Sequence, residues 1–290
     1  MATVPLAKSA EAEAAYRAAY DSSLRLWPSG CESRTVPTRF GLTHVIACGA
    51  AGGEPVFLLP AMGLSATMWY AVACALAREF RCYGVDFPSD MGLSTCENPP
   101  ANRSDCVAWL RTVLDALDVA RASLVGASYG SFLALNYVIA EPARVHKLVL
   151  CSPAAGIVAL RKSFYLRMLL SFLLPGRSGA DRIMDWVFAD RFPHDHPVLR
   201  QLMIGAKSLQ PRMKVYPKVF TDSELAGTSA PVCFLFGERE VFYNPHTAAE
   251  RARQIMPKAS VKIVPQAGHL LVMECPESVS QDIAAFLRGR

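Results

Sequence analysis

Apolar residues along this chain gather into short dense runs separated by polar turns. A leading segment, residues 9–26, carries Ala15, Ala18, Ala19 and Leu26 at roughly helical spacing and predicts a helix ending near Pro28. β-like runs follow at 36–48, 55–59, 81–87, 122–127, 147–151, 232–236 and 261–264. From residue 81 onward most are near-continuous Val, Leu, Phe and Cys without alternation, which marks strands buried on both faces. Helix-length segments lie between them at 66–79, 104–118, 130–141 and 245–256, with a last one at 276–288. Asn244 before Pro245 suits an N-cap followed by a first helical turn.

Strands that alternate with helices predict an α/β fold, a mostly parallel, doubly wound sheet covered on both sides. The alternation breaks once. Residues 157–227 are helix-like, rich in Leu, Met and Phe, and punctuated by Pro175-Gly176, Pro193 and Pro211. The expected organisation is a core of residues 1–156 and 228–290 with a helical insertion, 157–227, above the sheet. Within it, Phe164 to Leu174 is apolar on nearly every face, with Arg167 the only charge, and such a helix must be covered all round.

Two uncharged stretches, 56–77 and 122–140, are long enough to span a bilayer. Pro60 and Gly63 break the first, and Gly126 and Gly130 the second, so both read as strand, turn and helix in a buried core. No membrane span is expected. The net charge is only +5 over 290 residues with the basic residues scattered, which excludes the concentrated basic stripe of a nucleic-acid binder. Nine cysteines with no C-x-x-C pair, several inside apolar runs, point to buried free thiols and a cytoplasmic protein. The N-terminal residues lack the pattern of a secretory signal.

Candidate chemistry centres on Gly126-Ala127-Ser128-Tyr129-Gly130, placed directly after a buried strand and before an apolar helix. A serine at the tip of so tight a turn adopts strained backbone angles, and the residues two before and two after must be small. The following helix aims its N-terminal dipole at charge developing during attack. The motif alone recurs by chance in roughly one chain in ten of this length, so the strand–turn–helix context carries the reading. A plain packing turn is the alternative.

On these residues the chain resembles the α/β-hydrolase family over most of its length. The family places an acid after a late strand and a histidine after the last one. Here 232–236 leads into Gly237-Glu238-Arg239-Glu240, and 261–264 leads into Gln266-Ala267-Gly268-His269. The resemblance implies Ser128 as nucleophile, His269 as general base and Glu240 as the orienting acid, with Glu238 as competitor for that last role. It also implies an oxyanion hole from the backbone N–H groups of Tyr129 and Met62. The family's usual His-Gly in the second loop is Pro60-Ala61 here, a departure that bears on how the loop is held. Asp86, Asp90, Gly92 and Ser94 match a loop-shaping turn of the family.

The implied activity is hydrolysis of a carboxylic ester, with a hydrophobic group, through an acyl-enzyme. The insertion matches the position of a family cap, and Met168 or Phe172 would line the acyl pocket. The same triad serves thioesters, lactones and some carbon–carbon bonds, and the fold also hosts ligand-binding proteins without turnover. A complete triad favours the enzyme. The expected partner is a small-molecule substrate, with no metal and no organic cofactor. His194-Asp195-His196 offers one H-x-H pair among prolines with no third ligand at workable spacing, and reads as a polar loop.

Overall fold

A single eight-stranded sheet organises the computed structural model, with strand order β1-β2-β4-β3-β5-β6-β7-β8. The structure describes residues 6–173, 179–188, 193 and 195–289; the side chains at 172, 180, 181, 184 and 185 are not among those described. After helix α1 (Ala10–Leu24) come β1 (Glu32–Thr38), β2 (Gly41–Gly49), β3 (Glu54–Leu59), α2 (Tyr70–Leu76), β4 (Phe80–Val85), α3 (Arg103–Ala116), β5 (Ala122–Ala127), α4 (Tyr129–Ala140) and β6 (Val145–Cys151). The segment between β6 and β7 carries α5 (Lys162–Leu173), α6 (Gly179–Phe188), α7 (Pro197–Ser208) and α8 (Asp222–Ala226). The chain then runs through β7 (Val232–Gly237), α9 (Pro245–Ile255), β8 (Ser260–Val264), α10 (Leu271–Glu274) and α11 (Pro276–Arg288).

β1–β2 and β2–β4 pair antiparallel, and every pairing from β4 through β8 is parallel. The predicted doubly wound α/β sheet is therefore present. Alternate residues of each strand feed opposite cores, as a period of two requires. Val56, Leu58, Val125 and Val149 pack with Trp69, Val72, Ile283 and Leu287 of the α2 and α11 side. Phe57, Leu59, Leu124 and Leu148 pack with Trp109, Phe132 and Ala249 of the α3, α4 and α9 side.

Three expectations are corrected. Residues 36–48 are not one run but the hairpin β1–β2, because Gly41 sits at φ 125° and reverses the chain where a Cβ would strike the Thr95 carbonyl. Strand β1 begins earlier, at Glu32, and its exposed polar residues hide it from a reading based on apolar runs. The predicted helix 66–79 is a short 3-10 turn, Ala66–Trp69, followed by α2.

The third correction concerns α5, which is two-faced. Phe164 and Met168 are half-buried and Ser171 is buried, while Tyr165, Leu166, Leu169 and Leu173 are 61, 58, 56 and 67% exposed. Among the described side chains of α5, the row at spacing i, i+4, i+7 turns toward the protein.

β3 is flanked by β4 on one side and β5 on the other. The chain leaving β3 crosses toward one edge of the sheet and the chain leaving β5 toward the other. That divergence opens a crevice at the carboxyl ends of the two strands, where ligands bind in open α/β sheets.

Candidate active site

Ser128 lies in that crevice, between the last residue of β5 and the first of α4, at φ 49° and ψ −108°. A non-glycine residue with positive φ is strained, and the surroundings hold it there. Its N–H donates to the Cys151 carbonyl at 2.8 Å, and the Ser131 hydroxyl donates to the Gly126 carbonyl at 2.7 Å. A Cβ on Gly126 would run into the Gly130 backbone, and one on Gly130 would run into the carbonyl oxygens of Leu59 and Pro60. The two glycines thus let α4 start against both its own strand and the loop leaving β3.

Because β5 to β8 run parallel, their following loops emerge at one edge of the sheet. This brings together three residues spread over 141 positions, from 128 to 240 to 269. Ser128 Oγ is 2.8 Å from His269 Nε2, and His269 Nδ1 is 2.7 Å from Glu240 Oε2. All three are nearly enclosed, at 6, 4 and 4% exposure, so little water competes for these hydrogen bonds. The second Glu240 oxygen, Oε1, accepts the Phe242 N–H at 2.9 Å. Burial first, and then the charge of Glu240, push the neighbouring Tyr243 phenol well above its ordinary range, so it stays neutral.

Glu238 goes elsewhere. It is exposed, and its Oε2 accepts the Gln266 N–H at 2.8 Å. The structure therefore brings Glu240, not Glu238, to His269.

The loop after β3 closes as a turn in which the Leu64 N–H donates to the Ala61 carbonyl at 3.0 Å, with Gly63 at φ 76°. Met62 sits within this turn, and Tyr129 opens α4, whose Gly130 abuts the Leu59 and Pro60 carbonyls at the start of the same loop. Two buried aspartates hold the loop: Asp90 Oδ2 accepts the Gly63 N–H at 2.8 Å, and Asp86 Oδ1 accepts the Ala66 N–H at 2.7 Å. Gln201 of α7 grips the same loop, donating to Ser65 Oγ at 2.8 Å and accepting from Thr67 Oγ1 at 2.8 Å.

Of the residues expected to line a pocket, Met168 is half-buried on the inner row of α5, and the Phe172 side chain lies outside the described residues. Phe164 of α5 and Trp186 of α6 are linked to the imidazole through Phe242. Sequence reasoning also missed Glu274. Its carboxylate accepts the N–H groups of Gly268 and Leu270 at 3.0 and 3.2 Å, clamping the backbone on both sides of His269. An acid five residues beyond a histidine gives no signal until the short helix α10 folds it back.

His194 lies outside the described residues, and His196 caps α7 by accepting the Val198 N–H. Among the described residues no group of three or more His, Cys, Asp or Glu is placed to hold a metal ion.

A hydroxyl, an imidazole and a carboxylate in series can move a proton from oxygen to nitrogen while the carboxylate steadies the resulting cation. A sheet of this topology with such a series at its carboxyl edge defines a class of hydrolases. The chain belongs to the Alpha/beta hydrolase family, whose model matches residues 56–282. It is 37% identical over 278 residues to the carboxylesterase YbfK of Bacillus subtilis (strain 168), covering 93% of each chain. The crystal structure of carboxylesterase CesB (YbfK) from Bacillus subtilis superposes with a TM-score of 0.89 at 35% identity, over 97% of this chain and 99% of that one. That of naproxen esterase (carboxylesterase NP) from Bacillus subtilis gives 0.89 at 31% identity, over the same shares. The protein is an enzyme, a serine hydrolase of this family.

Proposed function

We propose that this carboxylesterase-type enzyme hydrolyses carboxylic esters through an acyl-enzyme on Ser128. The enzyme class rests on the kinship with carboxylesterases over nearly the whole chain. The observation that carries the residue assignment is the unbroken Ser128–His269–Glu240 series ending on a serine held at positive φ. His269 Nε2 takes the hydroxyl proton as Oγ attacks the ester carbonyl. The N–H groups of Tyr129 and Met62 receive the oxyanion, and His269 returns the proton to the departing alcohol. Water, deprotonated by the same imidazole, then attacks the acyl-enzyme and releases the acid. Every group in this scheme comes from the chain, so it calls for no metal or organic cofactor.

Residues 157–227 act in this reading as a cap over the cleft. The aromatic surface of Phe164, Trp186 and Phe242 beside the imidazole favours substrates with a hydrophobic acyl or alcohol group. The partner is a small molecule and not a nucleic acid. Nine free thiols, most of them buried, favour a cytoplasmic setting. Among the described residues no helix is long and apolar enough to cross a membrane.

The deciding experiment is active-site labelling. A fluorophosphonate is expected to modify the wild type at Ser128 alone, and Ser128→Ala is expected to lose both label and turnover while keeping its unfolding midpoint. Label on another residue, or turnover within about tenfold of wild type, would remove Ser128 from the mechanism.

A further inference from the structure

A stack of aromatic rings runs from helices α5 and α6 onto the face of the imidazole. The Phe242 ring centroid is 3.9 Å from that of His269, with the planes 34° apart. Phe242 in turn meets Phe164 of α5 at 4.7 Å and Trp186 of α6 at 5.5 Å, and those two rings lie 6.1 Å from one another. The Arg167 guanidinium stands over Trp186 at 5.1 Å. Phe242 is also tied to the acid, since its N–H donates to Glu240 Oε1. One residue thus contacts both His269 and the carboxylate that orients it.

The two hydrogen bonds of His269 leave one freedom unrestrained. Bonds at Nδ1 and Nε2 lie close to the ring plane, so they fix the imidazole along that plane but resist poorly a tilt about the line joining the two nitrogens. A flat apolar ring packed on the imidazole face opposes that tilt, and it also keeps water off that face. Phe242 itself is half-buried and gains its support from side chains about 55 to 80 positions earlier in the chain.

We propose that Phe242 is a positioning residue for His269, held by Phe164 and Trp186, so that the cap helices set the alignment of the base. The proposal rests on the assignment of His269 as that base. Its consequence is that a change in the cap alters the chemical step as well as substrate binding. Trp186, which is not among the ring partners of His269, then acts on catalysis through Phe242.

The test compares wild type, Phe242→Ala, Phe242→Leu, Trp186→Ala and the double alanine variant on p-nitrophenyl acetate. An acetyl group is too short to depend on a large aromatic surface for binding. Phe242→Ala is expected to lower kcat by about 10²-fold, the size of effect a small misplacement produces, with KM moving less than about threefold. Phe242→Leu, which keeps apolar bulk over the imidazole, is expected to recover most of the loss. Trp186→Ala is expected to lower kcat by a smaller factor, with no further loss in the double variant, since both act through one contact. The strongly downfield proton NMR signal of the His269–Glu240 hydrogen bond, assigned by its absence in Glu240→Gln, is expected to broaden in both alanine variants.

An unchanged kcat with a raised KM in Phe242→Ala would reduce the ring to a cleft lining. Additive losses in the double variant would break the link to the cap. Should Phe242→Ala fail to fold, Trp186→Ala and Phe242→Leu decide the question. Failure of the underlying assignment is separate: it would appear as a wild type that the fluorophosphonate does not label at Ser128.

Discussion

Asp90 Oδ2 accepts the Gly63 N–H at 2.8 Å, so a buried carboxylate pins the peptide next to the proposed Met62 oxyanion donor. Its other oxygen accepts the Met91 N–H at 2.8 Å. The loop that carries Pro60-Ala61 is thus tied to the loop after β4. The arrangement has a cost that depends on pH. Burial raises the Asp90 carboxyl from 3.8 to about 6, with the nearby Asp86 charge adding to the rise and the two backbone N–H bonds opposing it.

A carboxyl whose pKa is higher in the folded state binds its proton more tightly there than in the unfolded chain. Its contribution to stability is fully present below the unfolded pKa near 4 and is lost as pH rises through about 6. The shift corresponds to a change on the order of 3 kcal/mol across that window. Urea unfolding of wild type and Asp90→Asn at pH 4 and pH 8 isolates it. Wild-type stability relative to the variant is expected to fall by about 2–3 kcal/mol between the two pH values. A constant difference, or a rise, would show that Asp90 stays ionised in the fold throughout.

The two glutamates separate cleanly. Glu240→Gln leaves an amide against His269 Nδ1 and removes the charge that steadies the imidazolium, so kcat is expected to drop by about 10⁴-fold. Glu238→Gln alters an exposed side chain bonded to a backbone N–H and is expected to stay within about threefold of wild type. Steady-state kinetics on one chromogenic ester suffice. Reversed penalties would move the acid two residues upstream.

Gly130 tests the crevice itself. A methyl group there meets backbone oxygens of Leu59 and Pro60, which cannot swing aside as a flexible side chain would. Gly130→Ala is expected to destabilise by at least the ~1–3 kcal/mol of an overpacked core. It should also depress kcat by displacing the loop from the start of α4. Thermal unfolding and kinetics read both effects, and a variant matching wild type in both would mean that α4 shifts to make room.

Substrate preference tests the proposed aromatic lining. Each buried methylene contributes about 0.8 kcal/mol, so kcat/KM is expected to rise up to about fourfold per added carbon until the pocket fills. A p-nitrophenyl ester series from acetate to decanoate measures this. A steady decline beyond acetate would restrict Phe164 and Trp186 to packing.

Sequence alone determined the elements that local chemistry encodes. Near-continuous apolar runs mark the central strands, Asn244-Pro245 starts α9 as an N-cap pair, and Gly126 to Gly130 places a serine at a strand-to-helix turn. Those signals lie within a few residues of one another, and so they can be read along the chain. β1 escaped because an exposed edge strand needs no apolar face. The two-faced burial of α5 escaped because a helix apolar on nearly every face does not reveal which side meets the protein. What only the tertiary structure decided are meetings between distant positions: Glu240 over Glu238 at His269, Asp90 under Gly63, Glu274 around Gly268 and Leu270, and Phe242 on the imidazole. Parallel strands deliver their loops to one edge, but which side chain reaches which atom there depends on register and rotamer. Neither is written in any local stretch of sequence.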